Sequence, residues 1–308
     1  MSDLRRRLQL ALGVIWLLDA VLQYQPYMFS QAFATQTLAA TAQGNPAPIA
    51  GSITWAAGLI ANHVVVTNAV FATVQLLLAL GLFWRRTVRV TLAASLAWSV
   101  LVWWFGEGFG GVLNGTANPL TGAPGAVILY ALAAVLLWPP ARDALERPQS
   151  VAAASPLGDT VTRLLWLALW GSLAYFAVLP ANRAAGGPHD AVAGLASGEP
   201  GWLASLDHTA ASALAGAGLT FAVISAVILA IIALGVFAPP PLARATLVLA
   251  MVVAIGYWII GEDFGGMLTG QGTDANSGPL LILLAATYWP LARVRDSEHL
   301  LVSARPGA

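Results

Sequence analysis

The chain has 308 residues, 58% of them hydrophobic and 9% charged, with a mean hydropathy of +0.75. Soluble domains carry roughly 25% charge, so this composition indicates an integral membrane protein. All positive charge is arginine and there is no cysteine. A lysine Schiff base, disulfides, thiolate metal sites and dithiol redox chemistry by the chain itself are therefore excluded.

In chain order, the first element opens with Arg5, Arg6 and Arg7 ahead of an apolar stretch. That stretch contains Asp19, extends to about twenty residues and lacks a small-x-small cleavage site, which predicts a retained first span and not a signal peptide. Apolar segments at 8–26, 63–84, 88–106, 124–139, 162–180, 209–237, 243–261 and 278–292 predict eight transmembrane helices. The third, fourth and eighth fall short of the ~20 residues that cross a bilayer upright. Between the first two spans, 29–61, with Phe33, Pro46, Pro48 and Trp55, suits an amphipathic helix on the outer surface. With both termini cytoplasmic, every arginine but Arg183 falls inside, as the positive-inside rule requires. The expected location is a bacterial cytoplasmic (inner) membrane, with the lipid bilayer as the first partner.

The spans divide into two copies. GEGFGGVLNG at 106–115 matches GEDFGGMLTG at 261–270, and the match runs without a gap from Arg89–Pro124 to Arg244–Pro279 at an offset of 155. Trp16 and Pro26 answer Trp170 and Pro180 upstream, and WPPAR at 138–142 answers WPLAR at 289–293 downstream. The expected organisation is a four-helix repeat over 1–145, a Pro-, Ser- and Ala-rich cytoplasmic linker over 146–161, a second repeat over 162–295 and a cytoplasmic tail over 296–308. An even number of spans per unit orients the two repeats in parallel.

QLLLALGLFWRRTVR at 75–89 runs from the second helix into an arginine-marked inner turn. With the outer loop after the first helix, it resembles the DoxX-type four-helix membrane proteins, here in tandem duplication. That resemblance implies the four-helix architecture and, since members linked to thiosulfate and quinone oxidation or thiol stress work with partner subunits, a redox or quinone-associated role. The GE(G/D)FGG phrase lies outside the resemblance.

Polar residues within the apolar segments are the candidate sites. Asp19 sits near mid-membrane, where a carboxylate costs on the order of 3 kcal/mol, and shares a helical stripe with Gln23. It is either a proton- or cation-binding carboxylate or a structural hydrogen-bonding group facing Asn68 or Gln75 on the second helix. The second repeat has Leu173 in its place. Glu107 and Glu262 end the third and seventh spans, where the helix dipole disfavours a carboxylate, so each needs a compensating partner. His63 and His208 open the preceding span of each unit. Each His–Glu pair reads as a metal site or as a hydrogen-bonded clamp, with Asp263 and Asp207 adding acid in the second unit. The glycine-rich tails after each phrase are either ordinary outer turns or re-entrant loops walling a cavity.

Trp84, Trp103, Trp104, Trp138, Trp258 and Trp289 fit an interfacial belt. No cofactor is required by the sequence, and no Ser-His-Asp order, HExxH pattern, nucleotide-binding loop or nucleic-acid signature is present. Three functions remain. One is handling of a small solute, ion or proton through a cavity lined by Asp19, Gln23, Asn68, Gln75, Glu107, Glu262 and Asp263. The others are a redox or quinone-associated subunit, and a noncatalytic partner or assembly protein that docks another membrane protein or its own copy.

Overall fold

A computed structural model describes residues 2–140, 151 and 156–290; the predicted tail and most of the linker lie outside these. The chain is all-helical, with no strand among the described residues. Helices α1 (Ser2–Leu22), α2 (Ala47–Asn62), α3 (Val64–Phe83), α4 (Val88–Phe105) and α5 (Ala126–Leu136) make the first half. The second half has α6 (Asp159–Ala177), the short α7 (Pro180–Arg183) and α8 (Gly187–Ala193), then α9 (Gly201–Leu214), α10 (Gly218–Gly235), α11 (Pro240–Ile260) and α12 (Ser277–Thr287).

Each of the eight apolar segments holds a helix, and four helices are long and apolar enough to cross a membrane: α3, α4, α10 and α11 with the turn that follows it. Most of each is left unburied by protein, with Val66, Leu77, Val90, Leu219, Leu234 and Val252 among the exposed side chains. So wide an apolar exterior suits lipid, not water. Helices α5 and α12 behave differently. At 11 residues each they extend only about 16 Å, and eight residues of each are buried. They pack against each other, and α12 also meets α1, so the end of each repeat forms the centre of the molecule. A helix apolar on every face is a core helix, which explains their composition.

At the end carrying the N-terminus, arginines close helix C-termini. Arg5 donates to the Leu136 and Trp138 carbonyls at 3.0 and 2.9 Å, and Arg6 to those of Leu82 and Phe83 at 2.8 and 2.6 Å. Cations favour helix C-termini, where carbonyls lack partners. The paired helices α3–α4 and α10–α11 approach closely in the same way. A Cβ on Gly81 would lie 2.2 Å from Thr91 Oγ1, and one on Gly235 2.3 Å from Thr246 Oγ1.

Two sequence expectations change. The segment 209–237 is not one helix: α9 ends at Leu214, Gly216 turns with φ of +71°, and α10 begins at Gly218. His208 therefore lies within α9, while His63 stands at the break between α2 and α3, so the two histidines are not equivalent. The gapless offset of 155 also fails after Gly115 and Gly270. The Trp103 indole donates to the Pro124 carbonyl and the Trp258 indole to that of Ala275, each at 2.7 Å, which sets the later offset at 151. The first repeat's loop carries four more residues, housing a 3-10 turn at Pro119–Thr121.

Those loops are exchanged between halves. Asn182 of the second half donates to the Ala117 carbonyl at 2.8 Å, and Gln25 of the first to that of Gly272 at 3.3 Å. Ala117, Leu120, Ala123 and Ala275 are buried, so neither tail is an ordinary exposed turn. Leu113, Gly115, Thr116, Gly270 and Gln271 stay exposed, so each tail is covered by protein in its later part only.

Candidate functional site

The GE(G/D)FGG phrase gives both repeats the same backbone. Gly108, Phe109 and Gly110 have φ of 55–62°, and Asp263, Phe264 and Gly265 have φ of 45–77°. This left-handed run turns the chain back beneath the end of α4 or α11. Glu107 Oε1 then accepts the Val127 amide at 3.0 Å, and Glu262 Oε2 the Gly278 amide at 3.0 Å, with Ser277 Oγ donating to Oε1. The compensating partner that each glutamate needs is thus the N-terminus of the next helix, α5 or α12, whose unpaired amides and positive dipole end suit a carboxylate. Neither glutamate is hydrogen-bonded to a histidine; His63 and His208 are exposed. Among the described residues no group of three or more His, Asp or Glu is arranged to hold a metal ion. Trp103 and Trp258 reinforce the same turn from one helical turn earlier.

A second set of polar residues occurs in the first repeat alone. The Tyr130 hydroxyl on α5 donates to Asp19 Oδ2 on α1, both groups being buried. Trp16 packs on Tyr130 at a tilt of 36° with ring centres 4.1 Å apart, and it donates to Ser95 Oγ at 3.2 Å. One turn along α1, Gln23 Nε2 donates to Asn68 Oδ1 at 2.6 Å, and Asn68 Nδ2 returns a bond to the Gln23 carbonyl at 2.8 Å. Asn68 is thus the partner of Gln23, and the partner of Asp19 is Tyr130. Gln75 is half-buried with Oε1 unpaired, and Asp19 Oδ1, Ser99 Oγ and Glu107 Oε2 are buried without hydrogen bonds.

The second half contributes to this site from its exchanged loop, through the Asp274 carboxyl and the Ala275 backbone beside Asp19. Asp274 accepts from Thr273 Oγ1 at 2.8 Å and the Asn276 amide at 2.7 Å, and it acts electrostatically on both Asp19 and Glu107. Burial raises the Asp274 carboxyl above its usual range, against those two hydrogen bonds. Burial and then Asp274 push Glu107 up to about 8, despite the amides of Val127 and Ala126. The charged groups acting on Tyr130 are Asp19, Asp274 and Glu107, all acids.

At the matching places of the second repeat the interior is apolar. Asp19, Gln23, Asn68, Gln75, Ser95, Ser99 and Tyr130 correspond to Leu173, Ala177, Ala222, Leu229, Ala250, Ala254 and Leu281, all seven of which are buried. Sequence reading finds Asp19, Gln23, Asn68, Gln75 and Glu107 at or beside this core. It misses Tyr130, whose only signal is a phenol in the aliphatic run AVILYALAAVLL. It also misses Asp274, which the gapless offset sets opposite Pro119, a position with no acid. Glu262 and Asp263 lie in the turn of the second repeat, where Asp274 also acts on Glu262. A small pocket elsewhere, between Asn118, Ala177, Asn182, Ala222, Ser225 and Tyr257, does not include the acids.

The chain matches no family model, no curated protein and no solved structure.

Proposed function

We propose that the chain is a multipass membrane protein whose first repeat binds a proton in its buried polar core and exchanges it with the outer side. Asp19 is the binding group, Tyr130 orients it, and Glu107 and Asp274 are the neighbouring acids that can take up the proton next. The observation that carries this reading is the joint replacement of Asp19 and Tyr130 by Leu173 and Leu281 in the other repeat. Two leucines satisfy the packing at that place, and a buried polar pair is no better for stability than a well-packed apolar one. An acid and a phenol retained together, facing two further acids, are therefore best explained by chemistry.

The geometry suits a proton. Tyr130 fills Oδ2 of Asp19 and leaves Oδ1 open, and the donors available are carboxyl, phenol and amide groups in one close-packed region. Chains of intramembrane acids are recurrent parts of proton relays. We further propose eight spans, parallel repeats, cytoplasmic termini and a bacterial inner membrane. The arginine distribution supports this, and the closure of α5 by Arg5 and of α3 by Arg6 is consistent with an inner end.

The test is proton flux into liposomes containing the purified protein and a pH-sensitive dye, driven by an imposed potential. Parent protein should acidify the lumen, and Asp19→Asn should not. The double variant Asp19→Leu, Tyr130→Leu, which copies the second repeat, should melt like the parent yet carry no flux. A parent without flux would sink the reading, and an active Asp19→Asn would remove Asp19 from it.

A further inference from the structure

The second repeat carries an acid pair of its own, away from the core just described. Asp207 on α9 and Asp263 in the glycine turn are 0% and 1% exposed, and none of their four carboxyl oxygens has a hydrogen-bond partner outside the pair. Each side chain acts directly on the other. In the first repeat the matching residues are Ile53, buried on α2, and Gly108, buried in the equivalent turn. Two buried positions without a charge in one copy have thus become two acids in the other.

The backbone at Asp263 adds an independent observation. Its φ of +45° is left-handed, and its counterpart Gly108 has φ of +55°. A residue with a Cβ is disfavoured in that region. Aspartate is among the few residues with a Cβ that visit this region, and at Asp263 it brings a carboxyl into the turn where the other copy has none.

We infer that Asp207 and Asp263 hold one proton between them, forming an acid dyad that fastens α9 to the glycine turn. Two facing buried carboxylates cannot both be charged without a counter-ion. With one proton, the O–H of one carboxyl donates to an oxygen of the other, and the repulsion becomes a hydrogen bond. Loss of that proton leaves two like charges in contact and drives α9 from the turn, so the dyad releases as pH rises.

The groups around it do not supply a fixed counter-charge. Glu199, in the turn before α9, is acidic and acts on both partners. His208 is the one group drawing Asp207 toward its charged form by charge, and it is exposed. On α8, which packs against α9, His189 and Asp190 pair with each other at 2.9 Å. Arg183 lies on α7, which packs on α8 and α10. On α11 the ionisable residues are Tyr257 and, in the first turn at the far end from Asp263, Arg244. Burial raises the Asp207 carboxyl above its usual range, in keeping with a retained proton.

The test compares parent protein with Asp207→Asn and with the double variant Asp207→Ile, Asp263→Gly, which restores the first repeat's residues and so is expected to fold. Infrared difference spectra between about pH 5 and about pH 9 should show a protonated-carboxyl component in the parent that both variants lack, beside the Glu107 component that all three share. The parent's melting temperature should fall by several degrees over that interval, and the double variant's fall should be smaller. A band unchanged in both variants would overturn the inference. So would recovery of the parent's high-pH melting temperature by calcium, which would show that a metal ion and not a proton joins the two acids.

Discussion

Tyr130 and Asp19 are hydrogen-bonded across 111 residues of sequence, and the two residues that occupy their places in the other repeat, Leu281 and Leu173, are in apolar contact with the same core. The comparison gives a stability prediction free of any assumption about function. Asp19→Leu alone leaves the buried Tyr130 hydroxyl without its acceptor and should cost about 1–3 kcal/mol. Tyr130→Leu alone leaves the carboxyl unpartnered and should cost at least as much. The double variant should cost less than either, because nothing polar is then stranded. Denaturation of all four proteins in detergent measures the coupling, and simple additivity would show that the two side chains do not depend on each other.

Glu107 illustrates how a residue can be both structural and titratable. Its Oε1 caps α5 through the Val127 amide, and burial with Asp274 pushes its carboxyl up to about 8. Because the folded state raises this pKa, the stability tied to the protonated form is complete below the usual range near 4.5 and is lost as pH rises through about 8. Glu107→Gln keeps an acceptor for Val127 and should flatten the melting-temperature decline between about pH 5 and about pH 9. Glu107→Ala removes the cap and should cost about 1–2 kcal/mol at every pH. Equal pH slopes in parent and Glu107→Gln would refute the assignment.

The duplicated tryptophans make a parallel case. Trp103 and Trp258 each donate one indole hydrogen bond of 2.7 Å to a carbonyl just ahead of α5 or α12. Replacing either by phenylalanine keeps most of the packing area and removes the donor, so each should cost about 1 kcal/mol. The two sites are in different repeats with separate partners, and their effects should add. Thermal unfolding of the two single variants and the double variant checks both statements.

What the sequence revealed and what it hid follow from the range of the forces involved. Helices are read from local apolar runs, so hydropathy finds a helix in each of the eight segments, although it merges α9 with α10. Asp19 stood out because its cost inside an apolar run is a property of its own position. Its partner did not, because Tyr130 is an ordinary residue in α5 until tertiary packing brings α1 beside it. Glu107 and Glu262 were recognised as needing compensation, but their partners are backbone amides, which have no signature in sequence. The histidines misled because the break at Gly216 was read as helix interior, which shifted His208 by most of a helix. Asp274 was hidden by the repeat itself, since a gapless alignment conceals the four-residue difference between the exchanged loops.

The packing of α3 on α4 offers the most direct check on the helix pairing. Gly81 lies against Thr91, where an added Cβ would stand 2.2 Å from Oγ1, and the pair Gly235 and Thr246 repeats the contact at 2.3 Å. Helices in lipid gain little from apolar burial against one another, so close backbone approach through small residues carries much of their association. Gly81→Ala must therefore push α3 from α4 or rotate Thr91, and overpacking of this kind costs about 1–3 kcal/mol. Thr91→Ala removes Oγ1 and the methyl that crowd the site, leaving Cβ at 3.2 Å from the new methyl. Added to Gly81→Ala, it should restore a substantial part of the loss, whereas Thr246→Ala should relieve Gly235→Ala less, because the Thr246 Cβ itself would stand 2.5 Å from the new methyl. Unfolding in detergent reads both cycles. A Gly81→Ala variant as stable as the parent would mean that these helices do not meet at this point.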